Sequence, residues 1–261
     1  MNDFKFLNFE LADGAATITL NRPDVYNALN DELTFELQDV LKICTRDESI
    51  RVVVLTGEGK AFCSGQDLKA SSIEENRSFS DSLHKRYNPI IRGLRNMAKP
   101  VICRLNGVAA GAGCSLALAC DYIIASEAAV LIEVFINIGL VPDSGSSYFL
   151  PQLVSYTKAF ELASMGSKLT ATEAEKIGIV NKVVPHDKLD EELIVILDYY
   201  KRAPTKAIGL IKKMLNKSYT STLEEMLEYE AYCQDIASRT DDYKEGVTAF
   251  LEKRKPVFKG Q

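Results

Sequence analysis

This sequence has few closely spaced side chains that could bind a metal. It contains two histidines, His84 and His186, and six cysteines, none of which form a C-x-x-C pair. Zinc and iron–sulfur sites depend on such spacings, so we do not expect a metal site. The cysteines lie mostly in apolar surroundings, which favours buried free thiols in a reducing compartment. We expect both histidines on the protein surface.

Long apolar runs and an excess of basic charge are missing as well. Residues 107–141 are the most apolar part of the chain, but acids such as Asp121 and Glu133 interrupt them before a membrane span of about 20 residues could form. Asp3 and Glu10 would disrupt the apolar stretch of a signal peptide. The formal charge of −5 gives no electrostatic footprint for nucleic acid. We therefore expect a cytoplasmic protein with neither a membrane nor a nucleic acid as its partner.

The order of predicted elements favours an α/β fold. Alternating runs at 4–11 and 15–20 predict a β-hairpin, and 31–45 reads as an amphipathic helix. Further strands are predicted near 51–56, 101–105, 121–126 and 179–184. They alternate with helices, which indicates a core of repeated ββα-like units. From residue 190 onward the pattern is almost wholly helical, so we divide the chain into a core at 1–199 and a helical C-terminal module at 200–261.

Asp143 is the strongest catalytic candidate in the chain. It stands in Gly-Leu-Val-Pro-Asp-Ser-Gly, a turn with apolar residues on both sides. A carboxylate that is poorly solvated when folded gains proton affinity, which suits it to exchange protons near neutral pH. The alternative is a structural role, because aspartate before Ser-Gly often caps a helix or stabilises a turn.

Two glycine-containing segments precede Asp143, each with a strand that breaks into a turn. The segment 51–68 does not fit a phosphate-binding P-loop, and the glycines of 101–121 do not fit a dinucleotide fingerprint. Small residues also permit the close packing of a buried helix. A strand that feeds a helix through glycine leaves backbone N–H groups free at the helix start. Two such turns could converge on one developing oxyanion.

Five motifs, in series over nearly the whole chain, carry a family resemblance. They are Asn21-Arg-Pro-Asp-Val-Tyr-Asn-Ala-Leu29, Ala61-Phe-Cys-Ser-Gly-Gln-Asp-Leu68, Asn106-Gly-Val-Ala-Ala-Gly-Ala-Gly-Cys114, Gly139-Leu-Val-Pro-Asp-Ser-Gly145 and the segment 244–255. Together they resemble the crotonase (enoyl-CoA hydratase/isomerase) superfamily, and most closely its branch of 1,2-epoxyphenylacetyl-CoA and enoyl-CoA isomerases. The resemblance implies a crotonase-like spiral of ββα units with a helical C-terminal module.

The resemblance also implies an oxyanion hole for the oxygen of a coenzyme A thioester. Its donors would be the backbone N–H groups of Gln66 and Ala112. The implied substrate site further includes Ser64, Gly65, Asp67 and Gly111. Coenzyme A would enter only as part of the acyl-CoA substrate, without a separate cofactor.

The acids depart from the pattern of the family's hydratases, which resemble one another in using two glutamates. The corresponding positions here are Ser115 and Phe135, neither of which can transfer a proton in that way. We interpret Glu133 as a solvated or ion-paired surface acid, with substitution for a missing glutamate as the alternative. Asp143 falls where isomerases of the superfamily carry their single acid.

One acid and one oxyanion hole imply an acyl-CoA isomerase that shifts a double bond or isomerises a ring epoxide. An enoyl-CoA hydratase and a non-catalytic acyl-CoA binder remain alternatives. In the family, the C-terminal module contacts a neighbouring subunit of a trimer or a dimer of trimers. Lys253 falls where relatives reach the phosphates of coenzyme A across that boundary, although a basic helix end can also be merely solvated. Lys60 and Lys69 are further candidates near the nucleotide.

Overall fold

The first of two sheets forms the centre of the molecule, which a computed structural model describes over residues 4–71 and 78–261. Its six strands, in spatial order, are β1 (Leu7–Ala12), β2 (Ala15–Leu20), β3 (Val52–Gly57), β5 (Val101–Leu105), β7 (Tyr122–Ser126) and β10 (Lys182–Val184). Only β1 and β2 pair antiparallel, as the predicted hairpin; all other neighbours are parallel. The strand predicted at 179–184 is shorter, because it begins at Lys182.

The second sheet has four strands and gives the fold its repeated units. These strands are β4 (Ala61–Cys63), β6 (Val108–Ala110), β8 (Val130–Ile132) and β9 (Lys168–Thr170). Each of the first three directly follows a strand of the large sheet, so the chain moves from sheet to sheet and then into helix. The predicted ββα units are confirmed, and the spiral delivers the ends of β4 and β6 side by side.

Twelve α-helices surround the sheets in the described part of the chain. They are α1 (Asp31–Arg46), α2 (Leu68–Ser71), α3 (Phe79–Ser82), α4 (Asn88–Asn96), α5 (Ala112–Leu118), α6 (Ser146–Leu153), α7 (Tyr156–Met165), α8 (Ala171–Lys176), α9 (Leu189–Arg202), α10 (Thr205–Ser218), α11 (Leu223–Ser238) and α12 (Asp241–Leu251). The predicted amphipathic helix is confirmed as α1. It begins where the side chain of Asn30 accepts a hydrogen bond from the N–H of Leu33.

The continuous β-branched run of β3 is explained by burial on both faces. Val53 and Leu55 pack into the same apolar cluster as α1, whereas Val52 and Val54 face the other way, towards Leu189 of α9. Parallel sheets need such cover on both sides, since neither face can stay in water. Burying an aliphatic side chain of this size contributes about 1.5–3 kcal/mol, so this strand anchors the core.

The predictions of buried free cysteines and surface histidines are confirmed. All six cysteines are buried and free, and His84 and His186 are exposed. In the part of the chain that the structure describes, no cluster of three possible metal-binding side chains occurs. The described helices also include none long and apolar enough to span a membrane.

The C-terminal helices are tied to the core through α10. The ammonium group of Lys212 is buried, donates to the carbonyl of Leu94, and pairs with Asp121 at 2.6 Å. The guanidinium of Arg51 on the core side bonds to Thr205 at the start of α10. The predicted boundary at residues 199 and 200 falls inside α9, which ends at Arg202; the division into two parts stays a prediction.

Gly113→Ala tests the close approach of α5 to β4. A Cβ at residue 113 would lie 2.1 Å from the carbonyl oxygen of Cys63, which is backbone and has little room to move. We expect this variant to lose about 3 kcal/mol in free energy of unfolding, measured by urea denaturation. Gly246→Ala in α12 is the matched control, since its Cβ would make an ordinary 3.4 Å contact with Phe258. Equal stability of the two variants would contradict this packing.

Candidate active site

The first loop of the site is the turn that follows β4. Gly65 adopts a φ of +94°, which the absence of a side chain permits. Leu29 forms hydrogen bonds on both sides of the next residue, Gln66. The N–H of Leu29 donates to the Gly65 carbonyl at 2.7 Å, and the carbonyl of Leu29 accepts from the N–H of Asp67 at 3.0 Å. Because N–H groups alternate sides along an extended segment, that of Gln66 points away from Leu29. No described residue accepts it.

The second loop joins β6 to α5. Gly111 has a φ of +53°, and its N–H donates to the carbonyl of Ile132 in β8 at 2.9 Å. The helix starts at Ala112, and the first intrahelical bond runs from the N–H of Ser115 to the carbonyl of Gly111. The N–H of Ala112 therefore precedes the hydrogen-bonded ladder. Within the described residues it has no acceptor.

Glycines bring the two loops into direct contact. A Cβ on Gly65 would lie 2.7 Å from the carbonyl oxygen of Ala110 and 3.4 Å from the nitrogen of Ala112. One residue after Ala112, Gly113 presses against the backbone of Cys63. The structure thus brings Gln66 and Ala112 together with their N–H groups unused. That they bind a thioester oxygen stays a prediction.

Asp143 is held in place by hydrogen bonds to its main-chain carbonyl, and its carboxylate is partly removed from water. Its carbonyl oxygen accepts from the N–H of Ser146 at 3.1 Å and lies 3.0 Å from Ser115 Oγ. Partial burial raises the pKa of the carboxyl group, although a 2.8 Å hydrogen bond from Ser144 Oγ opposes the shift. The expected rise in proton affinity is confirmed. The carboxylate does not cap α6, whose N-cap is Gly145 without a side-chain bond.

Glu133 corrects the sequence interpretation. The prediction of a surface acid was wrong: the residue is 3% exposed. Its Oε1 accepts from Ser146 Oγ at 2.9 Å, and the Cys114 thiol lies close enough to influence the carboxyl group. Burial, together with a smaller contribution from the charge of Asp143, raises the pKa of Glu133 to about 6. The side chain turns inward because β8 ends just before Glu133 and a 3-10 turn, Val134–Ile138, begins just after it.

Two hydroxyl groups connect the acids. Ser146 Oγ lies 2.9 Å from Glu133 Oε1 and 2.8 Å from Ser115 Oγ. Ser115 Oγ in turn reaches the main-chain carbonyl of Asp143. All of these groups except the Asp143 side chain are nearly or fully buried. No pattern along the chain indicates this connection, because the serines belong to different helices.

Tyr87 is a second feature that sequence reasoning missed. It ends a π-helical turn, Leu83–Tyr87, a distortion often found at functional sites. Its hydroxyl group is buried, and no partner for it occurs among the described residues. Burial raises the pKa of this hydroxyl; the Arg86 charge opposes the shift, and the Asp143 charge adds to it. The Tyr87 hydroxyl therefore lies within electrostatic reach of Asp143.

Ser64 and Asp67 are fixed by contacts that shape the first loop. The N–H of Ser64 donates to the carbonyl of Tyr26 at 2.9 Å. Asp67 forms a 2.9 Å ion pair with Arg22, and both side chains are mostly buried. These bonds hold the turn before and after Gln66. A direct role of either residue in substrate binding stays a prediction.

The predicted phosphate-binding lysines lie on the surface. Lys60 and Lys69 are exposed near the first loop, and Lys253 is exposed just after α12. Lys253 has a φ of +55° and is anchored by its N–H to Phe250. Its role at a subunit boundary stays a prediction.

Comparison with known proteins gives consistent matches over nearly the whole chain. A sequence model of the enoyl-CoA hydratase/isomerase family matches residues 10–261. The 1,2-epoxyphenylacetyl-CoA isomerase of Escherichia coli (strain K12) is 40% identical, covering 98% of this chain and 99% of that protein. A mitochondrial enoyl-CoA hydratase of Pongo abelii is 37% identical, covering 94% of this chain and 83% of that protein. The crystal structure of an enoyl-CoA hydratase from Bacillus anthracis has a TM-score of 0.92 at 32% identity, covering 98% of this chain and 100% of that one.

Glu133→Gln tests the burial of the carboxyl group. The pKa of Glu133 is raised to about 6 when folded, so its stabilising effect is full below pH 4.5 and is lost as pH rises through about 6. The difference from the ordinary value of 4.5 corresponds to about 2 kcal/mol. We therefore expect Glu133→Gln to match wild type in urea denaturation at pH 4.5 and to exceed it by about 2 kcal/mol at pH 7.5.

Glu230→Gln, at an exposed position of α11, is the control and should keep the wild-type pH dependence. The burial of Glu133 would be contradicted if the difference in stability between wild type and Glu133→Gln were the same at pH 7.5 as at pH 4.5.

Proposed function

The chain belongs to the enoyl-CoA hydratase/isomerase family, and within that family we propose that it is an acyl-CoA isomerase. The backbone N–H groups of Gln66 and Ala112 bind the thioester oxygen, and Asp143 moves a proton between two carbons of the acyl group. The observation that carries the proposal is the contact between two loops with unused N–H groups, together with a desolvated carboxyl group on a turn whose main chain bonds to Ser115 of α5, the helix that Ala112 begins.

The two N–H groups supply the electrostatic part of the reaction. Removing a proton next to a thioester carbonyl places negative charge on the oxygen. Donors that are already oriented stabilise that charge without reorganising, and each contributes roughly 3 kcal/mol. Gln66 and Ala112 meet this requirement through the main chain, so their side chains are free to vary.

Asp143 supplies the proton transfer. Its carboxylate takes a proton from the carbon beside the carbonyl, or from the carbon two positions further along, and the electron pair delocalises onto the thioester oxygen. The resulting carboxylic acid returns the proton to another carbon, which moves the double bond. With a ring epoxide, the same acid assists opening of the ring and expansion towards an oxepin. The proposed reaction needs no cofactor beyond the coenzyme A of the substrate.

The environment of the second acid supports isomerisation over hydration. Adding water to an enoyl thioester needs a group that orients and activates the water. Glu133 is almost wholly buried and its Oε1 is engaged by Ser146, which does not suit contact with a substrate water. Its raised pKa and its electrostatic contact with Asp143 nevertheless favour a hydratase as the second candidate. A bare acyl-CoA binder is the third.

Asp143→Asn tests the reaction. Replacing the carboxylate removes the group that accepts the proton, so we expect exchange of the α-protons of phenylacetyl-CoA in D2O, followed by NMR, to fall about 1000-fold. Binding of coenzyme A thioesters should persist. Asp187→Asn, at an exposed turn, is the control and should retain exchange.

Each alternative gives a different outcome. Hydration of crotonyl-CoA that survives in Asp143→Asn would favour the hydratase, and a wild-type protein without any exchange would favour the binder. Products formed from a panel of aliphatic and ring-epoxide thioesters, identified by mass and NMR, would then define the acyl group.

Assembly into a homotrimer or a dimer of trimers, in the cytoplasm, belongs to the same proposal. The C-terminal helices expose large apolar side chains, among them Leu223 at 69%, Phe250 at 83% and Leu251 at 74%. Apolar groups clustered on one module are typical of a contact between subunits. We assign to Lys253, in such an assembly, the binding of the phosphates of a coenzyme A held by the neighbouring subunit.

Lys253→Ala tests this assignment. A lysine that bonds to a phosphate contributes a charged hydrogen bond, so its loss should weaken coenzyme A binding about tenfold in calorimetric titration. Lys255→Ala is the matched control, because it removes the same charge from an exposed position two residues away. Equal affinities of the two variants would show that Lys253 is only a solvated cation.

A further inference from the structure

We propose that Glu133, in its protonated form, is a positioning residue that holds the Asp143 turn in place through the hydroxyl groups of Ser146 and Ser115. This inference rests on the proposed function, because it assigns Asp143 the proton transfer. It adds a role for a carboxyl group that the reaction itself does not use.

The contacts form one continuous path. Glu133 Oε1 lies 2.9 Å from Ser146 Oγ, which lies 2.8 Å from Ser115 Oγ. Ser115 Oγ lies 3.0 Å from the main-chain oxygen of Asp143, closer than its 3.3 Å contact with Gly111 in the same helix. Every hydroxyl on this path is fully buried. Bulk water therefore does not reach these hydroxyl groups.

The number of available protons decides in which direction the hydrogen bonds along this path run. Each serine hydroxyl has one proton to donate. When Glu133 is protonated, it donates to Ser146, Ser146 donates to Ser115, and Ser115 donates to the Asp143 carbonyl. All three short contacts are then hydrogen bonds, and the turn that carries Asp143 is fixed to α5.

Ionisation of Glu133 removes one proton and breaks this arrangement. Ser146 must then donate to the carboxylate, which leaves Ser115 a single proton for two neighbours. If it bonds to Ser146, the Asp143 carbonyl loses its hydroxyl donor. If it bonds to Asp143, two serine oxygens face each other at 2.8 Å without a proton between them. Either way, the Asp143 turn is held less firmly.

Few charged groups act on Glu133. The Cys114 thiol of α5 and the Ser146 hydroxyl of α6 adjoin it, and the Asp143 carboxylate acts on it from the turn. Burial raises the pKa of Cys114 well above its ordinary value, so this thiol stays neutral. Asp143 itself is faced by Ser144 and by Tyr87, whose pKa is also raised. Glu133, with a pKa of about 6, and Asp143 are thus the groups that titrate here.

The unpartnered oxygen of Glu133 fits the protonated form. Oε2 is buried and has no hydrogen-bond partner in the described part of the chain. A neutral acid tolerates one idle oxygen far better than a carboxylate does, since a buried charge needs compensation at both oxygens. The site is therefore built for a neutral group at residue 133.

The test compares the pH dependence of α-proton exchange from phenylacetyl-CoA in wild type, Glu133→Gln and Ser146→Ala between pH 5 and 8.5. The wild-type kcat should fall about tenfold as pH rises above 6, the effect of one hydrogen bond. Glutamine is always neutral and always has a donor, so Glu133→Gln should lack this fall and exceed wild type about tenfold at pH 8. KM should be similar for both.

Ser146→Ala interrupts the path, so its α-proton exchange should be slow at every pH and should not fall further above pH 6. A wild-type-like fall in Glu133→Gln would overturn the proposal. Loss of exchange at all pH values in a stably folded Glu133→Gln would overturn it too, because Glu133 would then act on the substrate directly. Asp143→Asn separates the proposed function from the positioning role of Glu133. Exchange that survives in Asp143→Asn would contradict the proposed function, whatever Glu133→Gln shows.

Discussion

The close approach of two backbone segments is the constraint on which the rest of the structure depends. The turn after β4 and the start of α5 touch through their main chains, at Gly65 against Ala110 and at Gly113 against Cys63. Side chains at these glycines would push the segments apart. The contact brings two N–H groups into one space, since each belongs to a residue next to one of the glycines. A donor pair made in this way is held in place because β4 and β6, the strands that lead into the two loops, pair with each other in the second sheet.

The same packing creates an unusual electrostatic environment. Removal of Asp143 and Glu133 from water raises the proton affinity of both carboxyl groups, and the charge of Asp143 adds to the shift at Glu133. Buried acids of this kind cost stability. Their retention side by side, connected by Ser115 and Ser146, is understandable if proton transfer at Asp143 requires a turn that does not move.

The sequence predictions were accurate for features that depend on residues close together in the chain, and they failed for features that depend on distant segments. The hairpin, α1 and the buried strand β3 were predicted well, because periodicity and β-branching report local structure. The desolvation of Asp143 was predicted correctly because its apolar neighbours adjoin it in the chain. Glu133 was misjudged, because its partners on α5 and α6 are remote in sequence and its position at the end of β8 redirects its side chain.

By itself, the sequence determined the family, the order of the ββα units and the candidate acid at residue 143. These depend on motifs and on periodicity along the chain, which folding does not alter. Only the tertiary structure decided that Glu133 is buried, that Tyr87 carries an unpartnered hydroxyl, and that two serines connect the acids. The physical reason is that burial and hydrogen bonding between distant segments depend on how the two sheets and their helices pack, and no local pattern encodes that packing.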